Sequence, residues 1–215
     1  QKSPDRIETT ESRSRVARSG GDRRERCHAI GGLHGRHLCD HAAHGDADDV
    51  RPAYRQVIEE ALHVERGDRA AAGGGDGLAA RELLHQKGID RIVQVELDPA
   101  VVAVARTKLR DANAGALDDP RIRLILDDAM MWLRVPHPDV VPPGGFDAVI
   151  VDLPDPDNPV LGRLYSTEFY SLIARVLAPQ GLLVVQSGSP YSTPVAFWRT
   201  VSTIASAGLA VTPYH

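Results

Sequence analysis

The sequence predicts a doubly wound α/β fold, a Rossmann-like parallel sheet with helices on both faces. Three observations carry that expectation. From Gly73 onward, apolar runs alternate with helical patterns. Those runs are apolar at successive positions, as strands buried on both faces must be. A glycine cluster stands directly before the first helix, where such folds turn from strand to helix.

Each element has its own local reason. Residues 78–86 repeat apolar positions at helical spacing, and 91–97 (RIVQVEL) reads as a strand. A helix over 100–110 is opened by Asp98-Pro99, an acceptor cap followed by the residue best suited to a first helical position. A strand over 122–126 follows, then a short helix over 129–133 and a Pro/Gly-rich connection over 136–145. FDAVIVD at 146–152 is a buried strand. A helix over 167–177 is expected to stop at Pro179-Gln180-Gly181, followed by a strand over 182–186 and a helix over 194–207.

The first third of the chain is different. Before about Ala70 lie both cysteines and six of the nine histidines, but no Phe, Trp or Met, so residues 1–69 can build little core. Only 54–64 shows helical spacing, through Tyr54, Val57, Ile58, Ala61 and Leu62; the rest is expected to be loop or disorder. Cys27, His28, His37, Cys39, His41 and His44 are zinc-ligand types, but eleven residues separate the cysteines without a C-x-x-C frame, so no metal site is expected. The expected division is therefore 1–69, atypical, and 70–215, the Rossmann-like domain.

Composition excludes several classes. With 25 Lys+Arg against 29 Asp+Glu the net charge is −4, which argues against a nucleic-acid-coating protein. No apolar run approaches the roughly 20 residues of a membrane span. Two cysteines cannot staple a secreted scaffold, and the chain opens on Gln1 without a charged-then-apolar leader. A soluble, cytosolic fragment is expected.

The chemistry concentrates at predicted strand ends. Gly73-Gly74-Gly75-Asp76-Gly77 supplies a tight turn, and Glu96 closes the next strand about 20 residues on, where such folds place a carboxylate on a ribose hydroxyl pair. Together they imply a nucleoside. The run from Gly75 formally fits the G-x-G-x-x-A dinucleotide pattern, but Asp76 would repel a pyrophosphate and attract a sulfonium nucleoside carrying an ammonium group. Asp127-Asp128-Ala129 follows the third strand; Asp128 suits an adenine amino group and a helix N-cap equally well. The fourth strand delivers Asp152-Leu153-Pro154-Asp155-Pro156-Asp157-Asn158-Pro159, a proline-stiffened loop. One anionic pocket concentrates cations, and a polyamine, with amines of pKa about 10, is the natural one.

These residues resemble the spermidine synthase (polyamine aminopropyltransferase) family: GGGDG at 73–77, VELD at 95–98, Asp128-Ala129, and D-x-x-D-P at 152–156 with Pro159 beyond. The run DLPDPDNPVLGRLYS looks most like bacterial members whose catalytic domain follows a membrane-spanning N-terminal region. The resemblance implies a class I methyltransferase-type sheet, C-terminally truncated here. The implied reaction moves an aminopropyl group from decarboxylated S-adenosylmethionine, a co-substrate, to putrescine, with no further cofactor. It also implies a cytoplasmic catalytic domain, anchored in some relatives by an N-terminal region, and a homo-oligomer in the intact protein. Carried over by residue, Asp152 is the proton acceptor, Asp155 holds the distal ammonium, and Asp76 contacts the amines. Gly75 belongs to the nucleoside loop, Glu96 takes the ribose, Asp128 and Ala129 the adenine, and Pro159 the nucleoside.

The family's β-rich, Tyr/His-bearing N-terminal segment is not legible in 1–69, and Ala70-Ala71-Ala72 stands where a strand such as V-L-L-L would enter the loop. A run of CTG leucine codons read one base over gives GCT, alanine, which raises the hypothesis that 1–72 is a shifted reading frame. The coding nucleotide sequence tests it, and an adjacent frame without a Tyr/His-bearing β segment would sink it. Two other functions stay open on the sequence alone: an S-adenosylmethionine-dependent methyltransferase, and a nucleoside-binding domain without chemistry.

Overall fold

Strands and helices alternate as the apolar pattern requires. The computed structural model describes residues 67–213 apart from Asp155, Asp157 and Asn158; the expected helix over 54–64, the cysteine and histidine cluster and Asp155 lie outside the described residues. In chain order the elements are β1 (Gly67–Gly73), α1 (Leu78–His85), β2 (Ile89–Glu96), α2 (Pro99–Thr107), β3 (Ile122–Leu126), α3 (Ala129–Arg134), β4 (Phe146–Asp152), α4 (Pro159–Gly162), α5 (Thr167–Val176), β5 (Leu177–Val185) and α6 (Pro194–Ser206). The five strands form one sheet in the order β3-β2-β1-β4-β5, and every pairing is parallel. This is the predicted fold. Strand order reverses between β1 and β4, so the carboxyl ends on either side of that point border a crevice, the usual ligand position in open α/β sheets.

Side chains alternate between two apolar layers, as strand geometry dictates. Val93, Val95, Val149, Val151, Leu183 and Val185 face α3, α5 and α6, where Trp132, Phe169, Ile173 and Ile204 meet them. Ile92, Ala148, Ile150 and Val184 face α1 through Leu83, and Ala80 continues that layer to Val102, Ala105 and Leu117. Full burial of such residues stabilises by about 1.5–3 kcal/mol each. Among the described residues no helix is long and apolar enough to cross a membrane, and no His/Cys/Asp/Glu group could hold a metal ion.

The local signals hold in detail. Asp98 caps α2, its Oδ1 accepting from the Ala100 N–H at 2.7 Å, with Pro99 at the first helical position. Ser166 caps α5 by accepting from the Phe169 N–H at 3.2 Å. Two expectations need correction. The expected elements give the sheet no strand before the glycine loop, yet GDRAAAG is β1, the middle strand, starting at Gly67 and paired on both sides. Its strand conformation comes from two neighbours that each offer a free edge, which overrides weak propensity. Pro179-Gln180-Gly181 does not separate helix from strand: α5 ends at Val176, β5 starts at Leu177, and the three residues lie in an irregularity where Phe146 pairs with Leu177 and Ala148 with Leu182.

The middle strand carries an unusual burden. Arg69 is 1% exposed, ion-paired to Asp147 at 3.3 Å, and its Nε has no hydrogen-bond partner among the described residues. Burial pulls the guanidinium pKa down against the neighbouring carboxylates.

Candidate active site

The glycine loop is where three strand ends meet. Gly73 and Gly74 both have left-handed φ, 82° and 66°. A Cβ on Gly73 would strike the Asp152 carbonyl oxygen, and one on Gly75 would stand 2.5 Å from Glu96 Oε2. Only glycine lets the chain pass this close to both neighbours. The loop is then tied down: the Gly74 N–H donates to Asp152 O at 3.1 Å, and Gln94 Nε2 donates to Gly74 O at 2.7 Å. Asn113 Nδ2 donates to Asp76 O at 2.8 Å.

Asp76 sits at the entry to α1, its Oδ1 accepting from the Leu78 N–H at 2.9 Å. Burial pushes its carboxyl above the usual carboxylate range; the Leu78 N–H pulls it back, and the charge of Glu96 pushes it up again. A carboxylate held this way gains most from a cationic partner. Glu96 is half-buried at the end of β2, and its Oε1 accepts from the Asp98 N–H at 2.9 Å.

Asp128 is the N-cap of α3, with Oδ1 accepting from the Met131 N–H at 3.1 Å. Its Oδ2 is ion-paired with Arg163. Asp152 ends β4, half-buried, opposite Gly73 in the register. The crevice between these groups has a volume of about 580 Å³, within the range of small-molecule sites.

Six of the sequence-predicted residues line it together: Gly75, Asp76, Glu96, Asp128, Ala129 and Asp152. Pro159 does not; it opens α4, and its neighbours Val160 and Leu161, with Leu153 and Leu164, supply the apolar wall. Sequence reasoning missed Gln94 and Asn113 beneath the loop, Gln186 at the end of β5, and Arg163. A glutamine inside the apolar run RIVQVEL was a visible signal for Gln94; the others had none.

Among the described residues, the lining holds six carboxylates (Asp76, Glu96, Asp98, Asp127, Asp128 and Asp152) and one guanidinium, Arg163. Such a cleft draws a ligand with cationic amines and an apolar or aromatic body, and repels one bringing its own carboxylate.

Residues 62–215 match the family described as the spermine/spermidine synthase domain. A polyamine aminopropyltransferase of Mycobacterium tuberculosis is 74% identical over 143 residues, covering 66% of this chain and 27% of the relative. Polyamine aminopropyltransferase 1 of Streptomyces coelicolor is 45% identical over 164 residues, covering 75% of this chain and 30% of the relative. This chain therefore spans well under half the length of the curated relatives it matches. A crystal structure of spermidine synthase in complex with the transition-state analogue AdoDATO superposes with a TM-score of 0.63 at 25% identity, covering 72% of this chain and 51% of that one.

Proposed function

This chain belongs to the spermine/spermidine synthase family, and on that premise we propose that its crevice transfers an aminopropyl group from decarboxylated S-adenosylmethionine to putrescine, giving spermidine and methylthioadenosine. The observation that carries the reading is the convergence of Asp76, Glu96, Asp128 and Asp152 from four strand ends on one crevice with an apolar wall.

The chemistry asks for that layout. The amine nitrogen attacks the methylene beside the sulfonium, the carbon–sulfur bond breaks, and its electron pair leaves on sulfur as a neutral thioether. At pH 7 only about one amine in a thousand is neutral. Asp152, at the carboxyl end of β4, takes the proton lost from the attacking nitrogen. Asp76 holds the aminopropyl ammonium, Glu96 the ribose hydroxyl pair, and Asp128 with Ala129 the adenine edge. Asp155 takes the far ammonium of the diamine, and Pro159 sets the start of α4 beside the nucleoside. The carboxylate excess also disfavours intact S-adenosylmethionine, and so a methyltransferase, because its amino-acid carboxylate would enter a cleft of like charge.

The test incubates the purified chain with decarboxylated S-adenosylmethionine and putrescine, with mass-spectrometric detection of spermidine and calorimetry of methylthioadenosine binding. Spermidine formation supports the reading. Nucleoside binding without transfer supports the narrower reading of a binding domain lacking chemistry, and the absence of both overturns the assignment.

A further inference from the structure

The structure holds one contact across the crevice that the reaction as described does not use. Asp128 and Arg163 stand 35 residues apart and are joined by an ion pair, at 18% and 42% side-chain exposure. Each end is anchored. Asp128 is fixed by its other oxygen as the N-cap of α3. The Arg163 carbonyl accepts from Ser166 Oγ at 2.7 Å, and Ser166 is the N-cap of α5. Arg163 therefore links the caps of two helices, α3 and α5, that pack on the same face of the sheet.

The segment between them is part of the wall. Val160, Leu161 and Leu164 line the crevice beside Arg163, and Tyr165 Oη lies 3.1 Å from Leu153 O and 2.9 Å from Pro154 O, sharing its proton between them. With Tyr165 holding one side and Arg163 the other, this wall is fixed against both β4 and β3.

We propose that Arg163 is a positioning residue for the nucleoside: it orients Asp128 and holds the 160–164 wall against the adenine end of the crevice. This rests on the nucleoside reading above. A carboxylate offers about four lone-pair positions. The Met131 N–H and Arg163, itself part of the lining, fill two, which fixes the carboxylate plane and leaves the remaining positions for a donor on the ligand. Without Arg163, Asp128 keeps the Met131 N–H on one oxygen but loses the partner that orients the other, and the wall loses this tie to the start of α3. Lysine replaces this only in part, since it is a point charge without the fork geometry.

Methylthioadenosine is the right probe because it carries no net charge at neutral pH, so a salt effect on its dissociation reports on the protein's own ion pair. Raising NaCl from about 0.1 M to 1 M shortens the screening length from about 10 to 3 Å. The expected result in stopped flow is dissociation that accelerates with salt, relative to Arg163→Gln, by the roughly 2–5-fold that a solvent-exposed pair supplies. Arg163→Gln should already dissociate that much faster at low salt, Arg163→Lys should fall between, and the effect of Arg163→Gln should vanish when combined with Asp128→Asn. The apolar part of the salt response is common to both proteins and cancels in their ratio. A ratio of the unsubstituted rate to the Arg163→Gln rate that does not change with salt, or an Arg163→Gln effect of equal size with and without Asp128→Asn, overturns the proposal alone. Failure of the unsubstituted chain to bind methylthioadenosine at any salt overturns it together with the nucleoside reading.

Discussion

Replacing Asp76 with asparagine should weaken one class of ligand and strengthen the fold. Asparagine keeps the Oδ1 acceptor that the Leu78 N–H uses at 2.9 Å and removes the charge that burial and Glu96 both disfavour. For a cationic aminopropyl nucleoside, two unit charges about 4 Å apart at an effective dielectric of about 20 attract by about 4 kcal/mol before desolvation. After desolvation, a charge-assisted hydrogen bond is worth about 1.5–3 kcal/mol, or about 10–150-fold in Kd. For neutral methylthioadenosine the loss should stay within about 2-fold. Stability should rise by about 0.5–2 kcal/mol, the usual size of a single stabilising substitution. The sign with pH follows from linkage. Because the folded pKa lies above the unfolded one, the native state holds more protons between the two values, and stability falls as pH rises through that window. Affinity for the cation rises through the same window as Asp76 ionises. Asp76→Asn should flatten both slopes. Calorimetry with both nucleosides and thermal melts across pH measure all of this. Equal losses for the charged and neutral ligands, or a lower Tm in the variant, would refute the argument.

Four further outcomes are expected. Glu96→Gln should weaken methylthioadenosine by about 1–3 kcal/mol in calorimetry, the scale for losing a charge-assisted acceptor; unchanged affinity would make Glu96 a plain strand end. Gly75→Ala drives a methyl group into the Glu96 carboxylate, so nucleoside binding should fall at least as far as in Glu96→Gln, and full retention would contradict the crowding described. Asp152→Asn should cut aminopropyl transfer by about 10²–10⁴-fold with methylthioadenosine affinity little changed, measured on a chain that shows transfer; near-normal turnover would remove Asp152 as the proton acceptor. Tyr170 is 0% exposed and its hydroxyl has no hydrogen-bond partner among the described residues. Tyr170→Phe should therefore raise stability by about 0.5–2 kcal/mol in denaturant titration, and a loss would mean that the hydroxyl is satisfied in solution.

Sequence legibility followed a physical line. α2 was readable because Asp98-Pro99 caps it locally, and β4 because FDAVIVD is apolar on both faces. β1 was not, since nothing in GDRAAAG favours a strand; the edges of β2 and β4 impose it. The entry to β5 was misread because Pro179-Gln180-Gly181 has turn chemistry, and only the partner strand makes it an irregularity within a strand. Glu96, Asp128 and Asp152 were legible because each stands at or just past the end of an apolar run, and Asp76 because the glycine loop carries it. Gln94, Asn113 and Arg163 act on residues 20, 37 and 35 positions away, and no local pattern encodes such a distance.

The middle strand has a consequence for how the domain comes apart. β2 with β3, and β4 with β5, are two apolar ribbons whose only strand partner in common among the described residues is β1, a strand of small residues with a buried arginine. In hydrogen exchange, the centre of a parallel sheet is ordinarily the last to open. Here the seam between the ribbons should open early, while each ribbon persists. Glu96 and Asp128 belong to one ribbon, Asp152 and Gln186 to the other, so a nucleoside lying across them is a strap over the seam. Its protection should appear first in the β1 amides, far more than in the helices it never touches.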